Sequence, residues 1–486
     1  MNFERLYING EWVSPQSTER IKVENPASMY RFAAVPVATD TEVDAACRAA
    51  ADAAWRWQES PLAARLTICE KMLAQLLTRK AEIVDIEIQE LGAPSQMAEK
   101  VHFDFQVERM RTFMRLAQEI EFREELEHST LYREPVGVVA AITPWNYPLG
   151  QVVQKIMPAI LMGNTVVLKP SQHTPLSVYY LVDAFHQAGL PKGVLNLVTG
   201  RGGDVGNVLA SHPLVDMVSF TGSTTGGIEV GKHGLDSVKK IHLELGGKSA
   251  NIFFEDMDWD VAMDGAQLGI LFNQGQVCCA GSRIFVQESI YDEFVERLAK
   301  LFKKVKVGNP LDADTQMGAL IYEDQLKKVL KYVEIGKEEG ARLVAGGKRI
   351  TKDGLDKGFF IEPTIFADVT NDMKIAQEEI FGPVVVVQKF KDEEEVIRLA
   401  NDSIYGLGGG VFTTNINKAI RVARGIETGR MWVNTYNQIP AGAPFGGYKQ
   451  SGIGRETHAM ILDHYTQVKS ILININEEPS GMYQTK

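Results

Sequence analysis

Cysteine is scarce in this chain, with four among 486 residues at Cys47, Cys69, Cys278 and Cys279. Adjacent cysteines such as the last two are poorly placed to bridge each other without strain, so no disulfide framework is expected and a reducing cytoplasm is the expected compartment. Long apolar runs are missing too. Val136–Ile142 is typical, and it stops far short of the ~18–20 residues that cross a bilayer. The first ten residues, MNFERLYING, place Glu4 and Arg5 where a secretory signal needs an unbroken apolar stretch. Positive charge is in deficit: 51 Lys+Arg stand against 62 Asp+Glu, a net charge of −11, and no local basic patch offsets it. A chain of that sign repels phosphate backbones and anionic lipid, so neither nucleic acid nor membrane is expected as a partner. The nine histidines form no HExxH and no Cys/His cluster at zinc spacing, so no metal is expected. No long repeat or low-complexity linker is found.

What remains is ordinary globular composition, 45% hydrophobic and 23% charged, in a length that fits about two to four domains and an enclosed cleft. Thr39 and Glu42 form a capping-box pattern ahead of the alanine-rich helix Val43–Trp57. A second helix is expected from the apolar spacing of Leu66, Ile68, Met72, Leu73, Leu76 and Leu77, ending near Gly92. From Val136 the texture changes to apolar strands alternating with helices: strand Val136–Ile142, strand Thr165–Lys169, helix Pro175–Gly189, strand Val194–Val198, then strand Asp216–Phe220 running into the Gly-rich turn Thr221–Gly227. That order predicts an α/β fold with a parallel sheet that binds ligands at its carboxyl ends. After Gly246-Gly247 the alternation restarts with Asn251–Phe254, a helix around Ala262–Phe272, strand Arg283–Gln287 and helix Asp292–Lys304, a second α/β domain. Gly442–Arg455 reads as a glycine-rich loop. A last strand is expected at Ser470–Ile475, its edge paired with another chain.

Two segments bear chemistry. In Asn273–Arg283 (NQGQVCCAGSR) a thiol follows a Gly-Gln-Val turn. It is a nucleophile if its proton is lost, and an inert buried cysteine otherwise. The turn holding Gly222, Ser223 and Gly226 leaves a strand, so its backbone N–H groups and helix end can meet a pyrophosphate. It lacks the GxGxxG pattern, and such turns are frequent.

Six motifs taken in order resemble the series of the aldehyde dehydrogenase superfamily. They are Pro144–Pro148 (PWNYP), Phe220–Ser223 (FTGS), Leu243–Lys248 (LELGGK), Gly275–Ala280 (GQVCCA), Glu379–Val384 (EIFGPV) and Pro444–Arg455 (PFGGYKQSGIGR). The likeness runs from Tyr7-Ile8-Asn9-Gly10 to Tyr465–Lys469. It implies a Rossmann-like cofactor domain (1–116 and 136–245), a catalytic domain (246–448) and a small β oligomerisation element (117–135 and 449–486), assembled as a homodimer or homotetramer. It implies oxidation of a small-molecule aldehyde with NAD or NADP. Cys278, which directly follows the Gly275-Gln276-Val277 turn, takes the place of the nucleophile, and Cys279 that of a small packing neighbour. Asn146 takes that of the oxyanion donor, and Glu244 that of the base that activates water for thioester hydrolysis. Lys169 resembles the ligand of the adenosine ribose and is carried in the catalytic set as well. Trp145, Gly222, Ser223, Leu245, Glu379 and Phe381 complete the implied cofactor site.

Two departures from the family pattern bear on specificity. Gln172 stands where NAD-preferring members often carry Glu, which removes a charge that would repel a 2′-phosphate and leaves NADP open. Gln151 and Gln154 occupy the start of the tunnel helix, with Tyr147 and Phe445 as aromatic walls. This favours small or hydroxylated aldehydes, and no decisive aromatic cage for a betaine aldehyde is visible. Two rivals are a coenzyme A-acylating dehydrogenase and a non-catalytic structural or ligand-binding member. The presence of Glu244 argues against the first, and the intact set Asn146, Glu244, Cys278 and Glu379 against the second.

Overall fold

A computed structural model of the chain describes residues 1–474 and 481–483. Thr39 caps the helix Asp40–Gln58 with both arms of the capping box formed. The expected second helix is two, Leu62–Thr78 and Lys80–Leu91, separated at Arg79, whose φ of −110° breaks the helical run. Apolar spacing continues across that break, so periodicity alone could not locate it. The second of the two stops at Gly92 in a left-handed conformation.

Five parallel strands form the centre of an eight-stranded sheet, in the spatial order Leu195–Leu197, Thr165–Lys169, Val138–Ile142, Met217–Thr221 and Lys240–Glu244. The chain starts in the middle, winds out to one side, then returns and winds to the other. The switch falls between Val138–Ile142 and Met217–Thr221, where crevices for ligands open beyond the strand ends. Strands buried on both faces need continuous apolar runs. Val166, Val167 and Leu168 supply one, each burial contributing roughly 1.5–3 kcal/mol. Leu6–Ile8 and Glu11–Val13 extend one edge. At the other edge Gly452–Ile453, from the glycine-rich loop, lies antiparallel to Lys240–Glu244 and sets Gly452 opposite Glu244.

The second sheet has seven strands, parallel except for Arg342–Ala345, with Arg283–Gln287 and Ala250–Phe253 at its heart. The predicted α/β class is therefore observed. The last strand spans Thr466–Ile471 rather than Ser470–Ile475, of which Ile475 lies outside the described residues. Along one side it pairs with Thr130–Pro135 of its own chain, in a three-stranded sheet completed by Arg123–Glu125, and it forms an edge of that sheet. Pairing between segments so far apart in the sequence is invisible to a local pattern, which is why the contact with Thr130–Pro135 was not read from the sequence.

Candidate active site

Beyond the carboxyl ends of Met217–Thr221 and Lys240–Glu244 lies a cavity of about 180 Å³. Trp145, Asn146, Gly222 and Ser223 come to it from the first sheet's loops, with Leu245. Cys278, Glu379 and Phe381 come from the second. Eight residues picked out in the sequence thus meet around one space. Glu244, at the end of Lys240–Glu244, is not among its lining residues. Lys169 and Gln172 do not line it either and sit at the same end of the sheet but one strand further out, with Lys169 opposite Ile142. The Lys169 ammonium is buried, bonded to the Pro170 carbonyl at 3.2 Å, and burial lowers its pKa to about 8.

Ser223 caps the helix Thr224–Leu235 by accepting from Gly226 N at 3.1 Å, so the helix's positive end faces the cavity region. Glu379 accepts from Gly247 N at 3.0 Å and rests where a Cβ on Gly246 would stand 2.6 Å from its carboxylate. Only glycine allows that approach. Phe381 has a φ of 63°, a conformation that costs a non-glycine residue about 1–3 kcal/mol. Gln325 holds it there, donating to the Ile380 and Phe381 carbonyls at 3.1 and 2.7 Å, and Trp145 meets its ring edge-on at 5.3 Å.

Cys278 sits on a second strained loop, after Asn273 and Gln274 with φ of 50° and 59°. Asn273 Nδ2 donates to the Asn146 carbonyl at 2.8 Å, and Asn146 Nδ2 donates to the Gln276 carbonyl at 3.0 Å. The Cys278 thiol is pushed up by its hydrogen bond to Cys279 first, then by burial and the charges of Cys279, Glu244 and Glu379. Cys279 is drawn down by the same bond and by Arg430. Tyr436 donates to the Cys279 carbonyl at 3.0 Å and fixes the turn.

Glu244 is 2% exposed, and neither carboxylate oxygen has a hydrogen-bond partner. Burial, then the charge of Glu456, hold its pKa well above the ordinary range, while Lys155 and Arg455 pull it down. Lys155 and Glu456 form a buried ion pair at 2.8 Å. Neither was singled out in the sequence, although Lys155 is the single charge in the helix Pro148–Leu161, all of which is buried, and that was a readable signal. Tyr322, Gln325 and Lys328 around the cavity were missed as well, since nothing local marks them.

On the far side of Cys278 a second cavity, of about 270 Å³, is walled by Tyr147, Gln151, Gln154 and Phe445, as expected for a partly polar tunnel. Cys278 and Gln151 border both spaces. No group of three or more His, Cys, Asp and Glu is placed to hold a metal ion among the described residues, and no helix there is long and apolar enough to cross a membrane.

A Rossmann-like sheet with a thiol at the meeting of two cavities is a known arrangement, and the chain belongs to the aldehyde dehydrogenase family, whose model it matches over residues 12–471. It is 44% identical over 477 residues to an aldehyde dehydrogenase of Emericella nidulans, covering 96% of this chain and 94% of that one. Among solved structures, a betaine aldehyde dehydrogenase of Staphylococcus aureus in complex with NAD+ has a TM-score of 0.97 at 39% identity, covering 99% and 97% of the two chains. The NAD+ complex of an aldehyde dehydrogenase from Bacillus cereus has a TM-score of 0.94 at 42% identity, with 97% of each covered.

Proposed function

We propose that this protein oxidises an aldehyde to its carboxylic acid with NAD or NADP, through a thiohemiacetal and then a thioester on Cys278. The observation that carries this reading is the position of Cys278, the one cysteine bordering both the cavity with Ser223 and Glu379 and the tunnel with Tyr147 and Phe445.

The residues present fit a dinucleotide. The Ser223 helix end faces a pyrophosphate, Lys169 keeps a buried ammonium with donors to spare for ribose hydroxyls, and the Glu379 carboxylate can accept from the second ribose. A bound nicotinamide supplies the acceptor for hydride. The relatives solved with NAD+ support NAD, and Gln172 leaves room for NADP.

The Cys278 sulfur, once deprotonated, adds to the aldehyde carbon. Charge then develops on the carbonyl oxygen, where the Asn146 side-chain amide and the Cys278 backbone N–H are the donors. After hydride departs, the acyl group remains on sulfur as a thioester. Glu244, its pKa raised by burial and by the charge of Glu456, is the base that takes a proton from water. The hydroxide adds to the acyl carbon, the same donors receive the oxyanion, and collapse releases the carboxylic acid and the Cys278 thiolate. This reading places the acyl acceptor as water rather than coenzyme A. It also keeps the domain boundaries of the resemblance, a cytoplasmic setting, and association into a dimer or tetramer, for which the exposed Val468, Ile471 and Leu472 on the edge strand and just after it offer an apolar surface.

The test is aldehyde-dependent reduction of NAD and NADP over an aldehyde panel, with products identified in the presence and absence of coenzyme A. Free acid in both conditions is expected. An acyl-coenzyme A product, or no reduction with any aldehyde, would remove the reading.

A further inference from the structure

The tunnel on the far side of Cys278 contains a charge that the reaction does not use. A π-helical turn, Ala98–Asp104, runs directly into the helix Phe105–Ala117, and positions 105, 106 and 109 of that helix fall on one face toward the tunnel. Gly150 admits this face, because a Cβ there would stand 2.9 Å from the Gln106 amide. Arg109 is thereby sealed in the wall, 5% exposed.

Its partners are all neutral. Nη1 donates to Gln106 Oε1 at 2.8 Å and, with the Gln154 amide oriented to satisfy both of its neighbours, to the Gln154 oxygen at 2.6 Å. Nε is buried with no acceptor, and Nη2 makes no hydrogen bond to a described residue. Among the described residues no carboxylate lies within ion-pair distance of it. Glu456 is the nearest acidic influence, and it is already paired with Lys155 and bonded by Gln154. Burial lowers the guanidinium to about 10, so it stays cationic at neutral pH. Lys100, whose ammonium reaches Asp104 at 3.5 Å, also lines the tunnel, and none of the lining residues is Asp or Glu. A buried charge held by neutral amides and by the Phe105 ring, 4.7 Å from the guanidinium carbon, still lacks a counter-ion, and such a charge is costly until one arrives.

Resting on the aldehyde dehydrogenase reading above, we propose that the substrate is an ω-carboxy aldehyde, and that Arg109 is the counter-ion of its carboxylate. The Nε–Nη2 edge of a guanidinium is a fork that matches two carboxylate oxygens. The aldehyde of the same molecule then reaches Cys278 in the same cavity, with Gln151 and Thr457 as polar walls. A quaternary ammonium aldehyde would set like charge against Arg109.

The experiment compares kcat/KM for 4-oxobutanoate against pentanal, 5-oxopentanoate against hexanal, and betaine aldehyde, in the native enzyme and in Arg109→Met and Arg109→Lys. The better oxoacid is expected to exceed its neutral match by on the order of 10–100-fold, the scale of a charged hydrogen-bonded pair. That ratio should collapse in Arg109→Met, chiefly through KM, and be partly kept in Arg109→Lys. Native enzyme that oxidises the neutral or quaternary aldehydes as well as the oxoacids would overturn the proposal even if no variant folds, while leaving the dehydrogenase reading intact. An unchanged ratio in Arg109→Met would overturn it too. Failure to oxidise any aldehyde would bring down both.

Discussion

Asn146 Nδ2 lies 3.0 Å from the Gln276 carbonyl oxygen, two residues before Cys278. The return bond, from Asn273 Nδ2 to the Asn146 carbonyl at 2.8 Å, closes the link. Two loops from different sheets are tied side chain to backbone in both directions, so the amide and the thiol are set by one geometry. A donor fixed before the reaction needs no reorganisation when charge develops.

Replacing that donor should be felt in turnover. Asn146→Ala is expected to lower kcat by about 10²–10³, the usual cost of one oxyanion donor. Dinucleotide binding, followed by fluorescence titration, should persist. A kcat within a few-fold of native would assign Asn146 to loop fixation alone.

With Glu244 as the proposed base, the pH dependence follows. Its pKa is raised, so the carboxyl is protonated at acid pH and becomes a base only as pH climbs through a value above the ordinary carboxylate range. The single-turnover deacylation rate should therefore rise with pH over that interval and level off above it. In Glu244→Gln the limb should vanish and the rate fall. A limb at the same pH in the variant would belong to another group.

The proposed openness to NADP rests on position 172. Gln172→Glu restores a charge that repels a 2′-phosphate, so kcat/KM with NADP should fall more than with NAD, by at least about tenfold in their ratio, equivalent to ~1.4 kcal/mol. Equal changes with both dinucleotides would place this side chain away from the ribose.

The Lys155–Glu456 pair concerns stability. With both side chains essentially inaccessible, removing one leaves the other as an uncompensated buried charge, which typically costs 3–5 kcal/mol on the scale of about one buried pair. Lys155→Met should lower the melting temperature clearly, and adding Glu456→Leu should recover part of the loss. A double variant as unstable as the sum of both singles would deny the coupling.

The sequence made the parallel sheets legible because strands such as Thr165–Lys169 are apolar on both faces and alternate with helices. The motif residues around Cys278 could be gathered in advance through the resemblance of six segments, in order, to the aldehyde dehydrogenase series, whereas Asn146, Glu244 and Cys278 taken singly read as ordinary turn or core positions. Arg109 and Glu456 were not legible. Their importance arises from what they face across the fold, through Gln154, and no local spacing encodes a partner hundreds of residues away. The same limit hid the pairing of Thr466–Ile471 with Thr130–Pro135.

The account depends on where the acyl group is carried. Glu244→Gln enzyme mixed with aldehyde and NAD, quenched in acid and digested, should yield the peptide bearing Cys278 and Cys279 with the mass of the acyl group added, and fragmentation should place it on Cys278. Cys278→Ser should form no adduct and no NADH while still binding dinucleotide. An acyl group on Cys279, or continued oxidation by Cys278→Ser, would contradict the account.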